Sequence, residues 1–233
     1  MALILVLAES GFGKTTSIIP NEKFGIKGLN PKETYVVTTT SKILPFWKTT
    51  TIDKPQEGNR IVSDDGKAIA ELINNLAKSP FKNIVIDDTN YIMQNFYMKN
   101  AMKNGWDTPK QIGFFMGLIF DACEKASLAG KKVILFAHPE SYKTSNNGDI
   151  SFRMKTTGNM TQEFITPEGK VDIMLFGKTQ FNETTKKVDK LFVTDHDGQY
   201  PAKSQGIFDT LYIPNDMGLV IDAIEKYTNQ HQS

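Results

Sequence analysis

The sequence predicts an α/β fold: a mostly parallel central β-sheet flanked by helices, with a C-terminal β-hairpin and helix. Three observations carry this expectation. Short apolar runs at 3–7, 83–87 and 131–138 alternate with stretches whose apolar residues repeat at helical spacing, the pattern of strands buried on both faces by crossover helices. The first run leads directly into Ala8-Glu9-Ser10-Gly11-Phe12-Gly13-Lys14-Thr15, a glycine-rich phosphate-binding loop in strand-then-helix context. The chain has 233 residues, which suits one domain over 1–233 at roughly 100–200 residues per domain.

The elements follow in order. Residues 3–7 (LILVL) form a buried strand; no basic segment precedes this apolar start, so it is not read as a signal peptide. Residues 14–19 can begin a helix that Pro20 stops early. The β-branched stretch 34–40 is strand-like, and 44–60, with Pro45 and Pro55, is irregular. Ala68, Ile69, Leu72, Ile73 and Leu76 give 64–78 a helical face. Residues 83–87 (NIVID) form a strand, and 91–104 a helix. Thr108 and Pro109 are the cap and first residue of a helix running to Ala129, closed by Gly130. Its Phe114, Phe115, Leu118, Ile119 and Ala122 are core residues. Residues 131–138 (KKVILFAH) form another strand, and 139–155 a polar loop rich in Ser, Asn and Gly. Strands at 170–180 and 187–195 pair as a hairpin through 182–185, where Lys186, Lys187 and Lys190 protect an edge. Asp216 caps a last helix carrying Leu219, Val220, Ala223, Ile224 and Tyr227 on one face.

Composition narrows the function classes. Apolar residues are 39% and charged residues 23%, which argues against long disorder. The single cysteine, Cys123, excludes an internal disulfide and a four-cysteine zinc site. A net charge of +1 excludes a globally basic nucleic-acid binder and leaves a local patch open. Arg60 and Arg153 are the only arginines, too few for the arginine-rich lid of a nucleotide kinase. No apolar run reaches the roughly 18 residues of a membrane-spanning helix.

The strongest chemical signal is the loop at 8–15. A tight turn must point backbone N–H groups at phosphate oxygens, so Gly11 and Gly13 stand where side chains would obstruct. Ser10, Gly11, Phe12, Gly13, Lys14, Thr15 and Thr16 are expected to hold ATP, with the positive end of the following helix contributing. Lys14 reaches the terminal phosphates and the Thr15 hydroxyl ligates Mg²⁺. Ala8 stands where the pattern has glycine. The run 83–87 ends in two carboxylates: Asp87 is the expected second metal ligand, and Asp88 the residue that positions the attacking water. His138 closes the third apolar run, where ligands gather beyond the carboxyl ends of strands, and is expected to sense the γ-phosphate. Glu140 is an alternative carboxylate for the water.

SGFGKTTSI at 10–18, NIVIDD at 83–88, FAHPE at 136–140 and PAKSQGIF at 201–208 occur in this order, with Pro31-Lys32-Glu33-Thr34 and Leu44-Pro45-Phe46 between them. Together they resemble phage-encoded RecA-like ATPases, in particular those grouped with single-strand annealing proteins. The first two segments are shared by P-loop ATPases at large; the middle and late ones narrow the family. The resemblance implies one RecA-like P-loop ATPase domain in the host cytoplasm, acting in DNA recombination or replication. It implies a ring or filament of identical subunits with ATP between them, and single-stranded DNA bound by loops after the central strands. On this chain that places the DNA contacts in 142–155, with Tyr142 and Phe152 stacking on bases and Lys143, Arg153 and Lys155 meeting phosphates. A solvated surface loop is the competing reading. Relatives carry a late Lys-x-Arg segment that reaches the neighbouring subunit's nucleotide. Here Lys203 matches its lysine, Gln205 replaces its arginine, and Arg153 is the other available finger. A nucleotide-gated assembly or remodelling ATPase that binds no DNA is the functional alternative.

Overall fold

The computed structural model describes residues 1–102, 107–144 and 150–231. Its strands are β1 (Ala2–Leu7), β2 (Thr34–Thr38), β3 (Thr49–Thr50), β4 (Arg60–Val62), β5 (Asn83–Asp87), β6 (Lys132–Ala137), β7 (Pro139–Lys143), β8 (Ile150–Met154), β9 (Ile173–Asn182), β10 (Lys187–Val193) and β11 (Tyr212–Pro214). Its α-helices are α1 (Gly66–Leu76), α2 (Asn90–Lys99), α3 (Asp107–Leu128), α4 (Met160–Phe164), α5 (Pro167–Lys170) and α6 (Met217–His231). Nine strands form one sheet in the order β11-β10-β9-β1-β6-β5-β2-β4-β3. From β9 to β3 all pairings are parallel; β10 and β11 add to the β9 edge antiparallel. This is the expected mostly parallel sheet with its late hairpin and final helix. Among the described residues, no helix is long and apolar enough to cross a membrane.

The central strands are buried on both faces, and their alternation divides the core in two. Leu3, Leu5, Leu7, Ile84, Ile86, Val133 and Leu135 point to the side covered by α1 and α3, where Ile69, Leu72, Ile73, Met116, Ile119 and Phe120 pack. Ile4, Val6, Val36, Val85, Ile134 and Phe136 point to the other side, where Met217, Val220, Ile221 and Ile224 of α6 close the layer. Asp216 caps α6 by accepting from the Gly218 N–H at 2.8 Å. The same carboxylate accepts from the backbone of Lys27 (2.6 Å) and Gly28 (3.0 Å), tying the β1–β2 connection to the helix start.

Two expectations are corrected. The loop at 8–15 is not followed by an α-helix: Thr16–Ile18 makes a single 3₁₀ turn. Pro20 leaves too few residues for an α-helical turn to propagate, and the β-branched residues before it resist helix. The layer a crossover helix would fill is taken by α6, packed against this turn. Residues 139–155 are not simply a loop: β7 and β8 pair antiparallel, with Glu140 opposite Arg153 and Tyr142 opposite Ser151. The segment 145–149 of that expected loop lies outside the described residues, as do 103–104 of the helix expected at 91–104. Smaller shifts are at boundaries. The irregular stretch 44–60 holds β3 and the start of β4, and β9 begins at Ile173 because 167–170 forms the short α5.

Candidate active site

β1, β5 and β6 all end at one edge, and β6 lies between the other two. Whatever follows these strands therefore converges there: the glycine-rich loop after β1, Asp87 and Asp88 at the end of β5, and His138 between them. They surround a cavity of about 420 Å³ that Ser10, Gly11, Gly13, Lys14, Thr15, Thr16, Asp88 and His138 line.

The loop adopts its turn through Gly11 (φ +78°) and Gly13 (φ +103°), conformations that side chains disfavour. A methyl group on Gly13 would also stand 3.0 Å from Asn215 Nδ2. Asn215 donates to the Gly13 carbonyl at 3.1 Å, and Lys190 Nζ to the Gly11 carbonyl at 2.8 Å, so the β9–β10 hairpin and the start of α6 brace the loop. Phe12 turns away from the cavity. Its ring is buried at 3% exposure, 5.8 Å from that of Phe192. Burying such a ring contributes about 1.5–3 kcal/mol and anchors the loop to the core. Ala8 fits in place of glycine because residue 177 across from it is glycine: a Cβ there would lie 2.5 Å from Ala8 Cβ.

Lys14 is buried. Its Nζ donates to the carbonyls of Ala8 (2.6 Å) and Glu9 (3.2 Å), which aims the ammonium over the loop. Burial lowers its pKa, and the charges of Asp88 and Asp87 resist that shift. Thr15 Oγ1 donates to Asp87 Oδ2 at 2.7 Å, so both expected metal ligands meet. Asp87 is fully buried, and burial pushes its carboxyl pKa up against the opposing pull of Lys42. Asp87 Oδ1 has no hydrogen-bond partner among the described residues, a free buried oxygen of the kind a cation would satisfy. Among the described residues no cluster of three His, Cys, Asp or Glu side chains could hold a metal. A hydroxyl and one carboxylate instead fit Mg²⁺, a hard ion that fills its remaining positions with phosphate oxygens and water.

Asp88 lines the cavity with φ +61°, a left-handed conformation held at the strand end. His138 sits between the loop lysine and this carboxylate: Nδ1 is 3.4 Å from Lys14 Nζ and Nε2 is 3.5 Å from Asp88 Oδ1. The tautomer that satisfies both contacts carries its proton on Nε2. Burial, then the Lys14 charge, lowers the His138 pKa, which keeps the ring neutral. Asn90 fixes this residue from behind. Its Oδ1 accepts from the His138 N–H at 2.6 Å, and its Nδ2 donates to the Lys155 carbonyl. Lys155 N–H in turn donates to the His138 carbonyl at 2.8 Å. The end of the β7–β8 hairpin is thus linked to the cavity through main chain.

Other expected residues lie elsewhere. Glu140 does not reach the cavity; it pairs with Arg153 Nε at 2.8 Å. The Arg153 guanidinium also stacks over Tyr142, 5.0 Å from the ring centroid. Phe152 packs against Phe176 and Tyr200, each 5.3 Å away. Lys143 and the Lys155 side chain are exposed. Lys203 extends the sheet by exchanging backbone hydrogen bonds with Met174 at 2.8 and 2.9 Å, away from this chain's own cavity.

Sequence reasoning missed Lys42, Asn90, Lys190 and Asn215. Lys42 is the most consequential. Its Nζ contacts Asp87 Oδ2 at 2.9 Å, Asp88 Oδ2 at 2.5 Å and Thr15 Oγ1 at 3.2 Å. The available signal was position: it follows β2, at the same carboxyl edge where ligands collect.

No protein-family model matches the chain, and no curated protein matches it. Among solved structures it is similar to a KaiC-like protein of the hyperthermophilic archaeon Pyrococcus horikoshii OT3. That similarity has 12% identity and a TM-score of 0.49, and covers 91% of this chain and 84% of that chain.

Proposed function

We propose that the chain is a RecA-like P-loop ATPase, one domain over 1–233, that binds ATP with Mg²⁺ in this cavity and hydrolyses it. The observation that carries the reading is the meeting of Lys14, Thr15, Asp87, Asp88 and His138 at one sheet edge from three separate strands. The backbone N–H groups of the loop and the Lys14 ammonium hold the phosphates. Thr15 and Asp87 hold the metal. When bound, Mg²⁺ would neutralise charge on the phosphates. Asp88, which lines the cavity, orients the attacking water in preference to Glu140, which is engaged by Arg153. Neutral His138 touches both Lys14 and Asp88, so a change at the phosphates reaches the β7–β8 hairpin through its main-chain link to Lys155.

The same reading makes the protein a homo-oligomer, ring or filament, acting on single-stranded DNA in recombination or replication. Lys203 would reach a neighbouring subunit's nucleotide. Exposed Lys143, Lys155 and Tyr142 on the hairpin support a DNA surface there. A second reading, an assembly or remodelling ATPase without DNA, is favoured by a specific observation: Arg153 and Phe152 are already engaged by Glu140, Tyr142, Phe176 and Tyr200. The two separate by measuring ATP hydrolysis with and without single-stranded DNA. Stimulation that Lys143→Ala/Lys155→Ala reduces supports the DNA reading. A rate indifferent to DNA supports the second.

A further inference from the structure

The three contacts of Lys42 place its ammonium between the Thr15 hydroxyl and the carboxylates of Asp87 and Asp88. That is the position a divalent cation needs in order to touch Thr15 and Asp87 together. Two cations cannot share it: like charges so close repel by several kcal/mol even at an effective dielectric of about 20. We propose that Lys42 is a tethered competitor of the metal, so that Mg²⁺ enters only by displacing this ammonium. The inference rests on the nucleotide-site reading above.

The local build suits a side chain that moves. Lys42 lies on the connection after β2, between the buried strand and the buried anchors Leu44 and Trp47. The next residue, Ile43, is 93% exposed, so packing of its side chain does not hold the connection down. The Lys42 side chain is itself 28% exposed and lines the cavity, so a displaced ammonium stays within it, facing the space where phosphates would lie. Its two carboxylate partners differ. Asp87 is fully buried; Asp88 borders the cavity. The competition has a calculable consequence. If the ammonium holds the position about nine-tenths of the time, apparent metal affinity falls about tenfold.

The test is the Mg²⁺ dependence of nucleotide binding, read by the fluorescence of a ribose-labelled ADP, in wild type, Lys42→Met and Lys42→Arg. The expected result is a Mg²⁺ midpoint about tenfold lower in Lys42→Met, with Lys42→Arg close to wild type. An unchanged or higher midpoint in Lys42→Met overturns the proposal. Because Lys42→Met leaves Asp87 and Asp88 without their counter-charge, wild type is also compared with Lys42→Met/Asp88→Asn, in which a cation and an anion are lost together and the net charge of the site is that of wild type. The same fall is expected there, and its absence has the same meaning. Wild-type protein that binds no labelled ADP at any Mg²⁺ concentration would instead defeat the nucleotide reading itself.

Discussion

Thr15 and Asp87 stand 72 residues apart in sequence, yet the Thr15 hydroxyl donates to Asp87 Oδ2 at 2.7 Å. The contact crosses β6, which lies between the strands that carry the two residues. It joins the glycine-rich loop to the acidic strand at the point where the proposed metal would be held. Asp87→Ala should therefore reduce ATP turnover by at least about 100-fold, the scale of losing a main electrostatic contact to the transition state. Nucleotide binding should persist but lose its dependence on Mg²⁺. Steady-state hydrolysis and a Mg²⁺-titrated binding curve check both halves.

His138 gives a pH prediction. Burial and the neighbouring Lys14 charge hold its pKa below the ordinary 6.5. Hydrolysis should thus show no inflection at the ordinary histidine value as pH falls, and a decline only below it. The stability sign follows: the folded state binds this proton less readily than the unfolded chain. The contribution is present above the unfolded value and is lost as pH falls through it toward the lower folded one. His138→Gln should remove the low-pH decline from the rate profile and cut turnover about tenfold or more, the lower end of catalytic contacts. ADP affinity should change much less. A pH–rate profile of both proteins decides.

Tyr35 is fully buried, its hydroxyl has no partner among the described residues, and burial pushes its pKa up to about 12 from 10.0. The unfolded chain ionises first, so this contribution is fully present below the unfolded value, falls as pH rises beyond it, and is gone above about 12. Tyr35→Phe removes an unsatisfied polar group and should be neutral or stabilising by about 1 kcal/mol near neutral pH. It should also flatten the alkaline fall. Denaturant midpoints at neutral and alkaline pH measure this.

Gly177 and Ala8 form a matched pair. Gly177→Ala would place its methyl 2.5 Å from Ala8 Cβ and 2.8 Å from Phe12 Cε1. Overpacking of this kind costs about 1–3 kcal/mol. It should weaken nucleotide binding as well, because the displaced residues belong to the loop. Ala8→Gly in the Gly177→Ala background should recover part of both losses. Melting temperatures and ADP affinities across the four-member cycle give the coupling.

Much of this was legible from residues alone. The strand at 83–87 sits where its apolar run placed it, because a strand buried on both faces leaves an uninterrupted signal. Asp216 caps α6 as its position suggested, and the loop residues from Ser10 to Thr16 surround the cavity except for Phe12. What escaped depends on distance or on competition. The helix expected after Lys14 is absent because Pro20 ends it and α6, from the far end of the chain, fills its place. The β7–β8 hairpin hid in a polar stretch whose only apolar alternation is Ile150, Phe152 and Met154. Glu140, expected as an alternative carboxylate for the water, pairs with Arg153 across the β7–β8 ladder, a partner no local motif announces. Lys42 carried no motif; only the fold brings it to Asp87 and Asp88.

The most direct test of the central claim is ATP hydrolysis by wild type and Lys14→Ala, each with Mg²⁺ and with a chelator. Lys14 is the buried ammonium aimed over the loop, and no other described lysine contacts the Ala8 and Glu9 carbonyls. The account predicts turnover in the wild type with Mg²⁺ alone, and none above background in the other three conditions. Equal turnover in Lys14→Ala would contradict it.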